Sequence, residues 1–190
     1  ARSGVSVAHA AWVFARRGIA MESFSRYLAA GVNMALGTDT APQSMLEAQK
    51  FAAVVSKIID RQTGVATAAD VFNAATLGGA RAIGRDDLGR IAPGAKADLL
   101  FFDATSLWLT PLRDPVKNIV YSAQAQDIAD VMVNGQVVLR DRRVLGLDER
   151  EVCARLQAGG ERMWPGMAKG HWDGQDADTL SPQSFPSWED

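Results

Sequence analysis

The pattern of apolar and polar positions divides the chain into an α/β part and a later β-rich part. Residues 32–36 form a short, mostly apolar run with the length and composition of a strand buried on both faces. The weak alternation over residues 4–9 predicts an earlier strand. Helical spacing over residues 22–30, closed by Gly31, predicts a helix between the two strands. Strand, helix and strand in this order indicate one βαβ unit of a parallel sheet.

Three further helical patterns follow this unit. Residues 45–61 predict a long helix. Its buried side is expected to carry six apolar residues: Leu46, Phe51, Val54, Val55, Ile58 and Ile59. Thr67 and Asp70 have the spacing of a capping box at the start of a second helix. The Ala- and Gly-rich residues 76–83 predict a third helix that is able to pack closely.

From Leu88 onwards, short apolar runs alternate with Gly, Pro and Asn. Four strands are predicted in this part, the first of them buried: residues 97–103, 118–121, 128–133 and 136–140. The last two are joined by Asn134 and Gly135, the dipeptide that favours a type I′ hairpin turn. We interpret Asp98 and Asp103, which bracket the first strand, as structural residues.

The C-terminal segment predicts one helix and an irregular tail. Asp148 is expected to cap a helix that extends to Met163, and Cys153 within it is interpreted as a packing residue. Beyond Trp164 the sequence is rich in Gly, Pro, Asp and Ser, which predicts irregular structure. Four residues of this tail are expected to serve packing, within or between subunits: His171, Trp172, Phe185 and Trp188.

Composition excludes several classes of function. The apolar fraction of 47% and charged fraction of 22% are those of an ordinary globular protein. The net charge of −2 lacks the basic footprint of proteins that bind nucleic acid or membrane surfaces. No apolar run approaches the roughly 18 residues of a spanning helix, and residues 1–4 do not open a signal peptide. One cysteine excludes an internal disulfide and suits a reducing compartment, so we expect a cytoplasmic protein. From the net charge and the lack of a long apolar run, we expect it to bind neither nucleic acid nor membranes.

The candidate chemistry lies directly after residues 32–36, at Asp39. In a (β/α)8 barrel the active site lies where the strands end, so a carboxylate at this point could handle a metal ion or a proton. Asp39 also suits the N-cap of the helix that starts near Ser44 or Met45, or a simple turn. These residues alone support the functional and the structural interpretation equally.

Several segments together carry a resemblance to a known family. They are Val7-Ala8-His9 with Arg16-Arg17-Gly18, residues 31–39, residues 75–84 with 89–99, and residues 114–116 with 131–138. In this order and spacing, over about residues 5–145, the chain resembles the metal-dependent amidohydrolases, in particular the cytosine deaminase-like and triazine hydrolase-like branch. The first two segments resemble the ends of the seventh and eighth barrel strands. The later segments resemble the return to a side β-domain and its closing strands.

The resemblance implies an α/β fold: the last strands and helices of a (β/α)8 TIM-like barrel plus the C-terminal part of a flanking β-sandwich. It divides the chain into barrel residues 1–87, sandwich residues 88–145, and a C-terminal helix and irregular tail over 146–190. The implied activity is hydrolysis of carbon–nitrogen bonds other than peptide bonds, of the deaminase or amidohydrolase type. The implied cofactor is a divalent metal that activates water, zinc in most members and iron in some.

The resemblance also implies roles for individual residues. Asp39 corresponds to a metal ligand that also shuttles a proton. Thr38 could orient that carboxylate as a neighbour of the metal ligand. Three residues are candidates for substrate contact: His9, Thr40 and Gln43. A lone histidine at a strand end is more often an ordinary hydrogen-bonded residue than a substrate contact, and the role of turn residues suits Thr38 and Thr40 slightly better.

The chain is expected to be incomplete on its own. A catalytic zinc normally has three protein ligands, whereas the sequence has two histidines, no His-x-His pair and only 30 residues ahead of Gly31. The remaining ligands and barrel strands are expected from an N-terminal half, in the same polypeptide or a companion chain, without which this part is inactive. The other expected partners are a small-molecule substrate and further copies in a homo-oligomer.

Two alternatives to the hydrolase remain. One is a non-catalytic module that binds a partner through its barrel-facing surface. The apolar residues 32–36 speak against it, because a two-stranded parallel sheet would leave strand edges unpaired and apolar surface bare. The other alternative keeps the fold but assigns the chain to a non-hydrolytic member of the family.

Overall fold

The computed structural model describes residues 3–185. The chain divides into two compact units, Ala1–Leu145 and Gly146–Asp190. The first unit mixes helices and strands, which confirms the predicted α/β class. The proposed division near residue 87, between barrel and sandwich, remains a prediction.

The elements of the first unit alternate early and become β-rich later. Its strands are β1 (Ser6–His9), β2 (Asn33–Leu36), β3 (Leu99–Phe102), β4 (Ile128–Val133), β5 (Gln136–Arg140) and β6 (Arg143–Val144). Its α-helices are α1 (Ala11–Ala15), α2 (Phe24–Ala29), α3 (Met45–Asp60), α4 (Ala68–Asn73), α5 (Gly79–Ala82) and α6 (Pro115–Tyr121). A π-helical turn, Ala74–Gly78, joins α4 to α5, and a short 3₁₀ turn, Ala125–Asp127, precedes β4.

The first sheet pairs β1 with β2 in parallel, so that His9 lies beside Leu36 at the carboxyl ends of the two strands. Helix α2 connects them, which confirms the predicted βαβ unit. Gly31 follows α2 with a φ of 74°, a left-handed conformation in which glycine carries no steric penalty. The sequence pattern did not predict α1, a helix of five residues without a side-chain cap.

The main core lies between this sheet and the helices that pack on it. Its fully buried members include Phe24, Ala52, Ala53, Val71 and Val120. The buried face of α3 differs from the predicted one, since Val54 and Ile58 are exposed. The residues of α3 that are buried are Leu46, Ala48, Gln49, Ala52, Ala53 and Ser56. Small side chains on this face let α3 approach its neighbours closely, which apolar spacing alone does not reveal.

Helices α4 and α5 form one continuous helical segment through the π-helical turn. The predicted capping box is present at its start, because the Thr67 hydroxyl accepts from the Asp70 N–H and the Asp70 carboxylate accepts from the Thr67 N–H. At Gly78 the helix comes very close to β2. A Cβ on this residue would overlap the Met34 carbonyl oxygen and lie 3.1 Å from the carbonyl carbon. The Asn33 side-chain amide donates to the Gly78 carbonyl oxygen over 3.1 Å.

The second sheet is antiparallel, in the order β3-β4-β5-β6. The predicted hairpin of β4 and β5 is confirmed, with φ values of 49° at Asn134 and 80° at Gly135, as a type I′ turn requires. Strand β3 lies where residues 97–103 predicted one. It is not buried as expected, because Leu100 and Phe101 are 55% and 43% exposed.

The predicted strand at residues 118–121 is wrong, since these residues belong to α6. Asp114 caps this helix by accepting from the Lys117 N–H over 3.1 Å, and Pro115 occupies its first turn. Proline at the start of a helix loses no hydrogen bond, and its fixed φ suits the first turn. These two residues start a helix across a sequence whose β-branched side chains favour a strand.

The two aspartates that bracket β3 stabilise loops, which agrees with their structural interpretation. The Asp98 carboxylate accepts from the Asn134 N–H over 2.6 Å, at the hairpin turn. The Asp103 carboxylate accepts from Arg142 over 2.7 Å. Hydrogen bonds from the Thr105 hydroxyl and N–H, with the Arg142 guanidinium, hold the pKa of Asp103 below its usual value.

The described part of the second unit contains, in chain order, α7 (Glu149–Met163), a 3₁₀ turn (Trp164–Gly166), α8 (Met167–Gly170) and α9 (Ala177–Leu180). Asp148 caps α7 as predicted. The tail is more regular than expected, since it contains α8 and α9. Cys153 is exposed, so its packing role is wrong within this unit. Trp172 and Phe185 are also exposed, and Trp188 lies outside the described residues.

Among residues 3–185, no helix is long and apolar enough to cross a membrane.

Candidate functional site

The candidate site lies at the carboxyl ends of β1 and β2. Asp39 follows β2 in the loop that leads to α3, and its side chain is exposed. Its φ of 60° places it in the left-handed region, which Asp tolerates better than most residues. The cap of α3 is Ser44, whose hydroxyl accepts from the Glu47 N–H over 3.3 Å. Asp39 therefore does not cap this helix, and the helix-cap alternative is wrong.

The other predicted site residues lie around this loop. Thr38 and Thr40 flank Asp39 and are half-buried, whereas Gln43 is exposed between the loop and α3. The structure thus brings Thr38, Asp39 and Thr40 together at one strand end. Their roles as orienting, metal-binding and substrate-binding residues remain predictions.

His9 lies at the end of β1 but is only 1% exposed. Its ring stands edge-on to Phe24 with 5.8 Å between ring centroids. The Nε2–H donates to the Glu22 carbonyl oxygen over 3.2 Å, which leaves Nδ1 as the acceptor nitrogen. Among the described residues, this buried Nδ1 has no hydrogen-bond partner. The arrangement agrees with an ordinary hydrogen-bonded histidine, and the substrate contact remains a prediction.

Burial also sets the protonation state of this histidine. Removal from water disfavours the charged ring, and this lowers the pKa of His9. The hydrogen bond to Glu22 opposes the shift only in part. His9 is therefore held neutral near pH 7.

Arg16 holds the loop that carries Asp39. Its guanidinium donates to the Ala41 carbonyl oxygen over 3.1 Å and lies 5.6 Å from the centre of the Trp12 ring. The Trp12 ring in turn packs against Phe51 of α3, with 4.5 Å between ring centroids. Sequence reasoning did not identify this role of Arg16. The Arg16 side chain and the Ala41 carbonyl are 25 residues apart, and no local pattern indicates such a contact.

The described residues provide one suitable ligand for a metal ion, Asp39, but not the full set of ligands. Asp39 presents an exposed carboxylate at a strand end, a suitable donor for a divalent metal. Across residues 3–185, however, no three His, Cys, Asp or Glu side chains lie close enough together to hold a metal ion. A catalytic zinc normally takes three protein ligands, so any site at Asp39 needs donors from outside these residues.

The sequence model described as "Amidohydrolase family" matches residues 3–138. This match covers more than half of the chain, and the chain therefore belongs to the amidohydrolase family. The predicted family membership is confirmed.

Two of the curated relatives that the chain matches are deaminases. The chain is 40% identical over 137 residues to a 5-methylthioadenosine/S-adenosylhomocysteine deaminase of Pelotomaculum thermopropionicum, covering 68% of this chain and 31% of the relative. It is 38% identical over 138 residues to a 5′-deoxyadenosine deaminase of Methanothermobacter thermautotrophicus, covering 70% of this chain and 32% of the relative. The chain thus spans about a third of the length of these curated relatives.

Solved structures share the fold. An adenosine deaminase from Xanthomonas campestris with bound zinc matches with a TM-score of 0.81 and 30% identity, covering 85% of this chain and 38% of that one. A mutant of atrazine chlorohydrolase from Arthrobacter aurescens, complexed with zinc and atraton, matches with a TM-score of 0.76 and 24% identity, covering 83% of this chain and 36% of that one. At this lower identity the second match shows the fold alone.

Proposed function

We propose that this chain forms the last two barrel strands, the closing helices and the side β-domain portion of a metal-dependent hydrolase. The reaction is removal of an amino group from a purine nucleoside of the adenosine type. The observation that carries the proposal is the exposed Asp39 carboxylate at the end of β2, in a chain that the family model matches over residues 3–138. The deaminase names of the relatives support the choice of substrate.

In this mechanism Asp39 has two roles. Its carboxylate would hold a divalent metal, zinc or iron, which when bound lowers the pKa of a water molecule to about 7. The same carboxylate accepts a proton from the attacking water and later gives it to the departing nitrogen. Water first adds to the carbon, which forms the carbon–oxygen bond, and the carbon–nitrogen bond then breaks as the nitrogen takes the proton and leaves as ammonia. Thr38 would orient the carboxylate, and Thr40 and Gln43 would contact the substrate. A contact from His9 would require its buried ring to become accessible.

The rest of the site belongs to the proposal as well. We expect the other metal ligands from the N-terminal half of the barrel, in the same polypeptide or a companion chain. The complete enzyme would act in the cytoplasm as a homo-oligomer on a small-molecule substrate.

The test is Asp39→Asn in the complete protein that contains this chain. Asparagine keeps the size of the side chain and tolerates the left-handed backbone, so the change isolates the negative charge. We expect deamination of adenosine, 5′-deoxyadenosine and 5′-methylthioadenosine to fall by about 100-fold or more, as for loss of a general acid–base group. Metal content measured by mass spectrometry should fall too, while circular dichroism stays unchanged.

Asp141→Asn is the matched control. Asp141 is also exposed and has a φ of 48°, close to that of Asp39, but it follows β5 outside the candidate site. This variant should keep the metal and the activity of the natural protein. Normal turnover by Asp39→Asn with normal metal content would refute the assignment.

A further inference from the structure

Helix α7 carries a stripe of apolar and small residues along one side. Val152, Leu156, Gly159 and Met163 follow one another at intervals of four, three and four residues, which places them on one face of the helix. Leu156 and Met163 are 70% and 69% exposed, and none of the 15 residues of α7 is buried among the described residues. The stripe borders a groove of about 540 Å³ lined by Val152, Arg155, Leu156, Ala158 and Arg162. Within the part of the chain that the structure describes, this face therefore lacks a packing partner.

The composition of α7 indicates that the helix needs such a partner. A helix of 15 residues is only marginally stable in water by itself. Gly159 and Gly160 weaken it further, because glycine loses more chain entropy in a helix than any other residue. Most of the stability of a helix in a protein comes from packing of its apolar face. We therefore expect the stripe to be covered in the natural protein.

The spacing of the stripe reads the same in both directions, which suits contact with a second copy of the same helix. In an antiparallel pair that sets Leu156 beside Gly159 of the second copy, Val152 lies beside Met163 of that copy. Each of these contacts then occurs twice, as a twofold dimer requires. A large side chain facing a glycine lets the two helices approach closely and interdigitate.

The charges of α7 favour the same antiparallel arrangement. Its first turn is acidic, with Glu149 and Glu151, whereas its last turn carries Arg162. Glu151 lies 4.0 Å from Arg155 of the same helix, but Arg162 has no ion pair within residues 3–185. In the antiparallel pair, Arg162 lies about one helical turn along the axis from Glu149 of the second copy, a distance that the two long side chains can span. Opposite charges therefore meet at both ends of the pair.

We propose that α7 is a dimerisation surface, on which the α7 helix of a second copy packs in the antiparallel direction. The self-complementary spacing and the separation of charge along the helix select a second copy as the occupant of this face. The inference goes beyond the proposed reaction and does not depend on it, because assembly is measured without a substrate.

The first test replaces the centre of the stripe in the complete protein. Leu156→Glu should raise the dissociation constant of the dimer by at least about 100-fold, since the apolar contact is lost twice per dimer. Ala154→Glu is the matched control, because it adds the same charge to an exposed position on the opposite side of α7. It should change the dissociation constant by less than about twofold. Analytical ultracentrifugation measures both constants, and circular dichroism checks the fold.

Three outcomes of this test would overturn the proposal. One is a natural protein that stays monomeric at all concentrations, and another is a dissociation constant that Leu156→Glu leaves unchanged. The third is a loss of stability in Leu156→Glu without any change in mass, which would show that another segment of the same molecule covers the stripe.

The second test mixes two variants with reversed charges. Glu149→Arg and Arg162→Glu each place like charges together at both ends of the pair, so each variant alone should dimerise about fivefold more weakly. In a mixed dimer of the two variants, opposite charges meet again at both ends. Effects of the substitutions on α7 itself cancel, because each chain is the same in either dimer. Native mass spectrometry should therefore show mixed dimers in excess, and a statistical mixture would overturn the antiparallel pairing.

Discussion

Because Gly78 lies so close to β2, we expect its replacement by alanine to destabilise the protein. A methyl group there would overlap the Met34 carbonyl oxygen, so the helix or the strand must shift by about 1 Å to regain van der Waals separation. Such overpacking destabilises by about 1–3 kcal/mol. The shift also weakens the hydrogen bond from Asn33, worth about 0.5–1.5 kcal/mol. Alanine gains about 1 kcal/mol in helix propensity, so Gly78→Ala should lower the free energy of unfolding by about 2 kcal/mol.

The adjacent Gly79 provides the control. A Cβ on Gly79 would lie 3.7 Å from the Ala74 carbonyl oxygen, an ordinary contact, and both glycines have helical φ and ψ. Gly79→Ala should therefore leave the stability unchanged or raise it by up to about 1 kcal/mol. Urea unfolding of the complete protein, followed by circular dichroism, measures both variants. If Gly78→Ala is as stable as Gly79→Ala, the close packing of the π-helical turn on β2 at Gly78 is refuted.

Two further predictions concern a helix cap and a buried histidine. Thr67→Ala should lower the free energy of unfolding by about 1 kcal/mol, and Thr67→Ser should lower it less, because only the alanine lacks the hydroxyl that caps α4. Burial lowers the pKa of His9 in the folded state, so the unfolded state binds more protons below about pH 6.5. Stability should therefore fall as the pH falls from about 6.5 through the lower folded pKa. Urea unfolding from pH 7.5 to pH 5 should show a smaller fall for His9→Gln, and an equal fall would contradict the burial effect.

The elements that the sequence predicted correctly depend on local signals. Gly31 ends α2, Thr67 and Asp70 cap α4, and Asn134-Gly135 closes the hairpin. Each signal lies within a few residues of the structure that it specifies. Local rules therefore located the βαβ unit, the long helices and the hairpin without knowledge of the tertiary fold.

The incorrect predictions arose where local preference and tertiary context disagree. Residues 118–121 contain β-branched and aromatic side chains that favour a strand, but the cap at Asp114 and Pro115 starts a helix that includes them. The buried face of α3 carries Ala52, Ala53 and Ser56, whereas Val54 and Ile58 are exposed, so hydrophobic spacing located this face only in part. Which face of a helix is buried depends on neighbours that the local pattern does not contain.

In the candidate site, too, the sequence indicates some residues through local signals and does not indicate those that depend on tertiary contacts. The position of Asp39 followed from the short apolar strand before it and from the family resemblance. The contact of Arg16 with the Ala41 carbonyl oxygen joins segments far apart in sequence. No local pattern specifies such contacts, so the supporting residues emerged only from the structure.

The β4-β5 hairpin and the parallel pair β1-β2 differ in the chain entropy that their formation requires. The turn at Asn134 and Gly135 brings β4 and β5 together with the shortest closure that a hairpin allows. The pairing of β1 with β2 closes a longer loop, residues 10–32, and Gly78 packs closely against β2. The β4-β5 hairpin is therefore specified almost entirely by local sequence, whereas β3 joins it across residues 103–127. The parallel pair that positions Asp39 depends on helices from elsewhere in the chain, and its persistence is a property of the assembled tertiary structure.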